Sequence, residues 1–180
     1  FITAKNNSTS LTGFNVSIGC TDEFMRALEN KTPFPLRFQG QIYKEVDPVA
    51  LWDMIMRSTF DWAEPGILFL DTINKNNNLW YCEGIAATNP CGEQPLPPHG
   101  ACLLSSFNMV KYVDRDTASF NEDLFIHDIT HAVRALDNVI DRTIYPLEAQ
   151  KKEAQAKRRM GIGVTGLANA GELLGYRYGA

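Results

Sequence analysis

An α/β fold is predicted by three observations. Runs of alternating polarity interleave with runs of helical periodicity along the 180 residues. Prolines stand where helical runs stop, at Pro33, Pro35 and Pro65. The balance of 44% hydrophobic and 21% charged residues is that of a globular chain, long enough for one domain of ordinary size or a piece of a larger one.

The elements follow in order. Phe14, Val16 and Ile18 fall on one face with Asn15 and Ser17 on the other, which predicts a strand. Thr21 can cap a helix whose first turn holds Asp22 and Glu23 and whose buried side holds Phe24 and Leu28. Residues 35–47 read as a hairpin around Gln39-Gly40-Gln41. A second helix starts at Pro48, and its Leu51, Trp52, Ile55, Met56, Phe60 and Ala63 recur at helical spacing until Pro65-Gly66. Residues 67–70 predict a short buried strand, and residues 71–78 a polar connection rich in turn formers.

The stretch 81–113 differs, with three of the four cysteines and four of the nine prolines. Its end, residues 101–113, predicts a strand. A long helix opens at Asn121-Glu122-Asp123, with an apolar stripe of Phe125, Ile129, Ala132, Val133, Leu136, Val139 and Ile140. A further helix near Pro146 carries the charged run 151–159, which reads as a solvated face. A compact apolar run at 161–166 precedes a last helical stretch.

Composition excludes several classes. The net charge of −4 disfavours nucleic-acid binding through broad charge attraction. No apolar run reaches the length that spans a bilayer, and the first ten residues do not read as a signal peptide. Four cysteines are too few for a disulfide-stapled scaffold and suit a reducing, cytoplasmic setting.

Three motifs carry chemistry. Gly161-x-Gly163-x-x-Gly166 matches a dinucleotide fingerprint as a string, but a charged helical run precedes it; close strand-to-helix packing is the better reading. His127 and His131 stand four apart, but Asp128 occupies the place where a zinc protease needs Glu, and no third ligand is in view; no metal site is assigned. Asn89-Pro90-Cys91-Gly92-Glu93 puts a thiol between an amide and a carboxylate, each two residues away. In an extended segment all three side chains project to one side. Cys102 follows eleven residues after Cys91, so a thiol, a carboxylate base and a second thiol form a redox or radical constellation. For that string alone, a buried structural cysteine in a Pro/Gly loop is the stronger reading.

The segment NPCGEQPLPPHGACLLSSFN resembles the active-site segment of the large, catalytic chain of ribonucleotide reductase. FNVSIGCTDEFMRALE and RRMGIGVTGLANAGELLGYRYG resemble that family's flanking segments, and the cysteine spacing is most similar to its adenosylcobalamin-dependent (class II) branch. The resemblance implies a ten-stranded α/β barrel of two five-stranded parallel halves, with a central finger loop at about residues 84–100. Residues 1–180 would be a central fragment of the barrel domain, with flanking parts missing, and inactive alone.

The resemblance also implies roles. Cys91 would carry the thiyl radical that removes the 3′ hydrogen of a ribonucleotide. Glu93 would take the 3′-OH proton, Asn89 would orient the substrate, and Cys102 would be one of two reducing thiols. Lys5, Asn6, Asn7, Ser8, Thr9 and Ser10 match the position of the substrate-specificity loop, for which a solvated surface turn is an equal reading. The partner of Cys102 would lie upstream of the specificity loop, a position that Cys20 and Cys82 do not match. The implied cofactor is adenosylcobalamin, with dNTP or ATP effectors. The implied partners are a ribonucleotide di- or triphosphate, a thioredoxin- or glutaredoxin-type reductant and a second copy in a homodimer, in the cytoplasm. The alternatives are a class I (metal-radical) large subunit and a non-catalytic module.

Overall fold

A computed structural model describes residues 1–6 and 11–179, in two compact units, 1–98 and 99–180. In the first unit, strand β1 (Ser17–Cys20) runs parallel to β4 (Gly66–Phe69), with Ser17 opposite Gly66 and Cys20 opposite Phe69. Parallel strands need a long crossover. Here it consists of helix α1 (Asp22–Asn30), the hairpin β2 (Phe34–Phe38) and β3 (Gln41–Val46), and helix α2 (Pro48–Trp62).

Each part forms for local reasons. The Thr21 hydroxyl accepts the Phe24 amide at 3.2 Å, and Asp22 and Glu23 sit at the positive end of α1. The helix ends before Pro33, where Lys31 turns left-handed and its amide donates to the Ala27 and Leu28 carbonyls. Gln39 and Gly40, both at positive φ, make the tight turn between β2 and β3. Asp47 accepts the Val49 amide at 2.9 Å and Pro48 opens α2.

The core of this unit is small. Ile55, 1% exposed, and Phe24 are its buried centre, and the Phe24 ring meets Phe34 edge-on at 5.2 Å and Trp52 at 6.3 Å. The buried Ser58 hydroxyl lies 3.0 Å from the Ile2 carbonyl, 3.0 Å from Asn6 Oδ1 and 3.2 Å from the Glu64 carbonyl.

Two expectations change here. The first strand lies at Ser17–Cys20 rather than 14–18, because pairing with β4 sets its start: the Gly66 amide donates to the Val16 carbonyl at 2.9 Å. Part of the expected polar connection after β4 is helix α3 (Leu70–Lys75). Its Asp71 accepts the Asp22 amide at 2.7 Å and its Lys75 pairs with the Asp22 carboxylate, so α3 and α1 begin from one polar junction.

The unit ends in the short hairpin β5 (Ala87–Thr88) and β6 (Pro95–Leu96).

In the second unit, β7 (Leu103–Asn108) runs parallel to β10 (Met160–Thr165) over six residue pairs. The predicted strand 101–113 is thus shorter: Asn108 accepts the Val110 amide and starts a 3-10 turn at Met109–Tyr112. A second hairpin, β8 (Val113–Asp114) and β9 (Ser119–Phe120), follows. Helix α4 (Glu122–Arg142) is capped by Asn121, which accepts the Leu124 amide at 3.0 Å. Phe107, Tyr112, Phe120 and Phe125 cluster with ring centroids 5.0–6.5 Å apart and hold α4 to β7. Of the expected α4 stripe, Ile140 is buried, while Val133 and Val139 are exposed.

Helix α5 (Glu148–Lys157) carries the charged run, and that run is more than a solvated face. Arg158 leaves the helix at positive φ, and its guanidinium bonds Asp137 Oδ1 at 2.6 Å, Asp141 Oδ1 at 2.9 Å and the Asp137 carbonyl at 3.1 Å. Three bonds clamp the end of α5 to α4. Helix α6 (Leu167–Leu173) closes the unit. Of the glycine string, Gly161 and Gly163 lie inside β10 and Gly166 stands between β10 and α6; Gly166, at φ +65°, sits so close to the 3-10 turn that a Cβ there would be 2.9 Å from Asn108 Oδ1.

Among the described residues the strands form five two-stranded sheets and no closed barrel, so the α/β content is as expected while the barrel is not seen. No described helix is long and apolar enough to cross a membrane.

The carboxyls of Asp114, Asp128 and Asp137 lie below the usual range. Backbone amides of Asp116 and Thr117 do this at Asp114, hydrogen bonds from His127 and Tyr112 at Asp128, and the Arg158 guanidinium at Asp137. Groups lowered on folding add stability above their unfolded value, about pH 4, and lose it as pH falls through the folded one. Urea midpoints are therefore expected to drop as the buffer is taken below about pH 4. Arg158→Gln should shallow that drop, because Asp137 then returns towards its unfolded value; an unchanged slope would mean the clamp has no role in acid stability.

Candidate functional site

The N-P-C-G-E string forms the end of the β5–β6 hairpin. Two side-chain amides position that hairpin. Asn74 on α3 donates to the Ile85 carbonyl at 2.9 Å and accepts the Ile85 amide at 2.8 Å, a two-bond bracket like one rung of a β-ladder. The chain then pairs as β5 with β6, supported by the Ala86 amide on the Leu96 carbonyl at 3.1 Å. At the far end, Asn15 donates to the Pro90 carbonyl at 2.9 Å and tethers the tip to the segment before β1. By sequence pattern Asn15 belongs only to the polar face of a strand and Asn74 to a turn-rich connection. Neither residue carries a local signal of these roles, because both partners are distant backbone groups.

Asn89 closes the hairpin with four bonds. Its amide donates to the Gln94 carbonyl at 3.2 Å, and its carbonyl accepts from Gly92 at 3.0 Å. Its side-chain oxygen accepts the Gln94 amide at 2.9 Å, and its side-chain nitrogen donates to Glu93 Oε1 at 2.6 Å. The Gly92-to-Asn89 bond makes Asn89, Pro90, Cys91 and Gly92 a β-turn, with Pro at its second position and Gly92 at φ +88°. The segment is therefore not extended. Asn89 and Glu93 do meet, but the turn brings them together rather than strand alternation. Cys91 stands exposed at the tip.

Cys102 lies in the other unit, just before β7, and is half-buried. It borders a pocket of about 80 Å³ lined by Leu103, Ile140, Tyr145, Ala154 and Arg159. Burial pushes its thiol up, while a backbone hydrogen bond from Gly161 and the Arg159 charge act in the opposite direction. Cys20 is buried beside β4, and burial raises its thiol too; Cys82 is exposed. Of the expected specificity loop, Lys5 pairs with Glu64 and donates to the Phe14 carbonyl, and Asn6 faces Ser58. Asn7, Ser8, Thr9 and Ser10 lie outside the described residues.

The family model for the ribonucleotide reductase barrel domain matches residues 1–180. The chain belongs to the ribonucleotide reductases. The vitamin B12-dependent ribonucleoside-diphosphate reductase of Thermoplasma acidophilum is 38% identical over 172 residues, covering 94% of this chain and 22% of the relative. A protein of the same name from Mycobacterium tuberculosis is 38% identical over 181 residues, covering 99% and 26%. The vitamin B12-dependent ribonucleotide reductase of Streptomyces clavuligerus is 33% identical over 165 residues, covering 89% and 17%. This reductase chain thus spans about a quarter of the first two relatives or less.

Two outcomes are expected at the site. Asn89→Ala removes the acceptor of the Gln94 amide, and one net hydrogen bond of about 0.5–1.5 kcal/mol should speed Gln94 exchange about 2- to 10-fold. Unchanged exchange would show that the backbone alone closes the hairpin. In timed iodoacetamide labelling followed by peptide mass spectrometry, Cys102 should react more slowly than exposed Cys82, since the thiolate is the reactive form. Equal rates would contradict its burial.

Proposed function

We propose that residues 1–180 are the central part of the catalytic barrel of a ribonucleotide reductase that uses adenosylcobalamin, with the finger loop at about 84–100. One observation carries this reading: a braced hairpin holds exposed Cys91 in its turn, two residues from each partner of an amide–carboxylate pair joined at 2.6 Å.

In this reading Cys91, as a thiyl radical, takes the 3′ hydrogen atom from the ribose. Glu93 takes the 3′-OH proton. Asn89 already holds Oε1 of that carboxylate, which leaves Oε2, without a partner among the described residues, for the substrate hydroxyl. The 2′-OH leaves as water after gaining a proton. Cys102 and a second thiol supply two electrons and two protons and end as a disulfide, and Cys91 returns the hydrogen atom to the 3′ position. The balance is ribonucleotide plus two thiols to deoxyribonucleotide, disulfide and water. A thioredoxin- or glutaredoxin-type protein resets the disulfide by exchange.

Bound cobalamin would supply the radical that starts this cycle. An exposed thiol suits a group that must reach it from outside, and we assign no residue of the chain to the corrin itself. The substrate is a ribonucleoside di- or triphosphate. Lys5 to Ser10 would pass the identity of a dNTP effector to the site in a cytoplasmic homodimer.

The test is ribonucleotide reduction by the full-length protein with adenosylcobalamin. Cys91→Ser should reduce activity to background, and Glu93→Gln should lower it about 10²–10⁴-fold. Cys102→Ser should stop turnover. Full activity of Cys91→Ser would remove the central role, and a requirement for a metal-radical partner in place of cobalamin would move the protein to class I.

A further inference from the structure

His127 and His131 lie one turn apart on α4, exposed, with ring centroids 4.3 Å apart and planes inclined by 38°. Nothing in the proposed reaction uses them. Their hydrogen bonds fix more than their position. His131 Nδ1 is 2.8 Å from the His127 carbonyl, which can only accept, so Nδ1 carries the proton. His127 Nδ1 is 3.2 Å from Asp128 Oδ1, again an acceptor, so Nδ1 carries the proton there too. In both neutral rings the free lone pair therefore sits on Nε2. The other oxygen of Asp128 accepts the Tyr112 hydroxyl at 3.0 Å, and the Tyr112 ring is buried in the aromatic cluster. Tyr112, Asp128 and His127 thus form a chain from the core to the first imidazole.

This is the arrangement that metal-binding histidines use: one nitrogen donates to a carbonyl or carboxylate, which sets the tautomer and raises the basicity of the other. A helix places residues four apart on one face, and here the two exposed rings lie side by side on that face of α4. We propose that His127 and His131 form a two-nitrogen chelate for a divalent first-row transition ion. Imidazole suits nickel, copper and zinc. Among the described residues no third histidine, cysteine or carboxylate joins the pair, so water fills the remaining positions. Asp123, one turn towards the helix start, adds favourable negative charge, and Arg134, one turn beyond His131, opposes it. The sequence could not show this site, because it lacks the metalloprotease glutamate and gives no information on tautomers.

The test uses the full-length protein with Ni²⁺ alone as probe. Diethyl pyrocarbonate modifies free imidazole nitrogens, and peptide mass spectrometry reads each histidine separately. Ni²⁺ should protect His127 and His131 together while leaving exposed His99 reactive. His131→Gln should abolish protection of His127, and Asp128→Ala should raise the Ni²⁺ concentration needed about 10- to 100-fold. Circular dichroism of both variants confirms that α4 is intact. Three results would overturn the proposal: no protection at either residue, protection of His127 that survives His131→Gln, or resistance of both histidines to modification without metal.

Discussion

Parallel strands cannot be joined by a tight turn, and the rest of the chain is arranged around that constraint. It applies twice. Between β1 and β4 the crossover holds two helices and a hairpin; between β7 and β10 it holds a 3-10 turn, a hairpin and two helices. Each crossover must come back to the sheet at a set register. In the first unit the junction of Asp22 with Asp71 and Lys75 fixes where α1 leaves and where α3 begins. In the second, Arg158 ends α5 against α4 one residue before Arg159, whose carbonyl accepts the Leu103 amide at 3.2 Å and starts the β7–β10 pairing. The charged clamp therefore sets the entry of β10, the partner of the strand that Cys102 precedes.

Amide side chains do the work of backbone at the places where no ladder can form. An asparagine carries one acceptor and one donor group on a short arm, the same pair a peptide offers. Asn74 uses both on Ile85, and Asn89 uses both to close the turn and hold Glu93. Loop segments otherwise leave peptide groups to water. Here three asparagines brace the hairpin at different points: Asn74 at its base, Asn89 within the turn and Asn15 on the Pro90 carbonyl at the tip. A reactive group on such a tip keeps its position when a substrate or another domain approaches, which is what a site built on a loop requires.

Much of this was legible in the residues. Thr21, Pro48 and Asn121 mark helix starts that the structure keeps, and Gln39-Gly40 marks a turn that it keeps. Their signals are local: a cap bonds an amide two or three residues away, and a positive φ belongs to one residue. The misreadings share the opposite property. Helix α3 was hidden because Asp71, Thr72 and Asn74 are turn formers by composition, and their partners lie 49 and 11 residues away. Arg158 looked like one more exposed charge because Asp137 and Asp141 are a helix apart from it. For the N-P-C-G-E string, an extended segment would put the side chains on one face by a periodicity that the observed β-turn does not have. The outcome for Asn89 and Glu93 was the same, since a turn that reverses the chain also brings residues four apart together.

The two thiols of the proposed reaction sit in environments that suit different tasks. A radical carrier must exchange a hydrogen atom with a group outside its own chain, and exposed Cys91 is reachable. A reductant that delivers electrons with protons benefits from staying a thiol until it reacts, and burial of Cys102 favours the neutral S–H. The same burial would slow any reset by exchange, which needs the thiolate. The Gly161 amide and the Arg159 charge pull against burial at that sulfur, so its local field is a compromise between holding the proton and releasing it. Cys20 marks the contrast: burial raises it with no opposing group, and it is 3% exposed, as expected of a cysteine that packs rather than reacts.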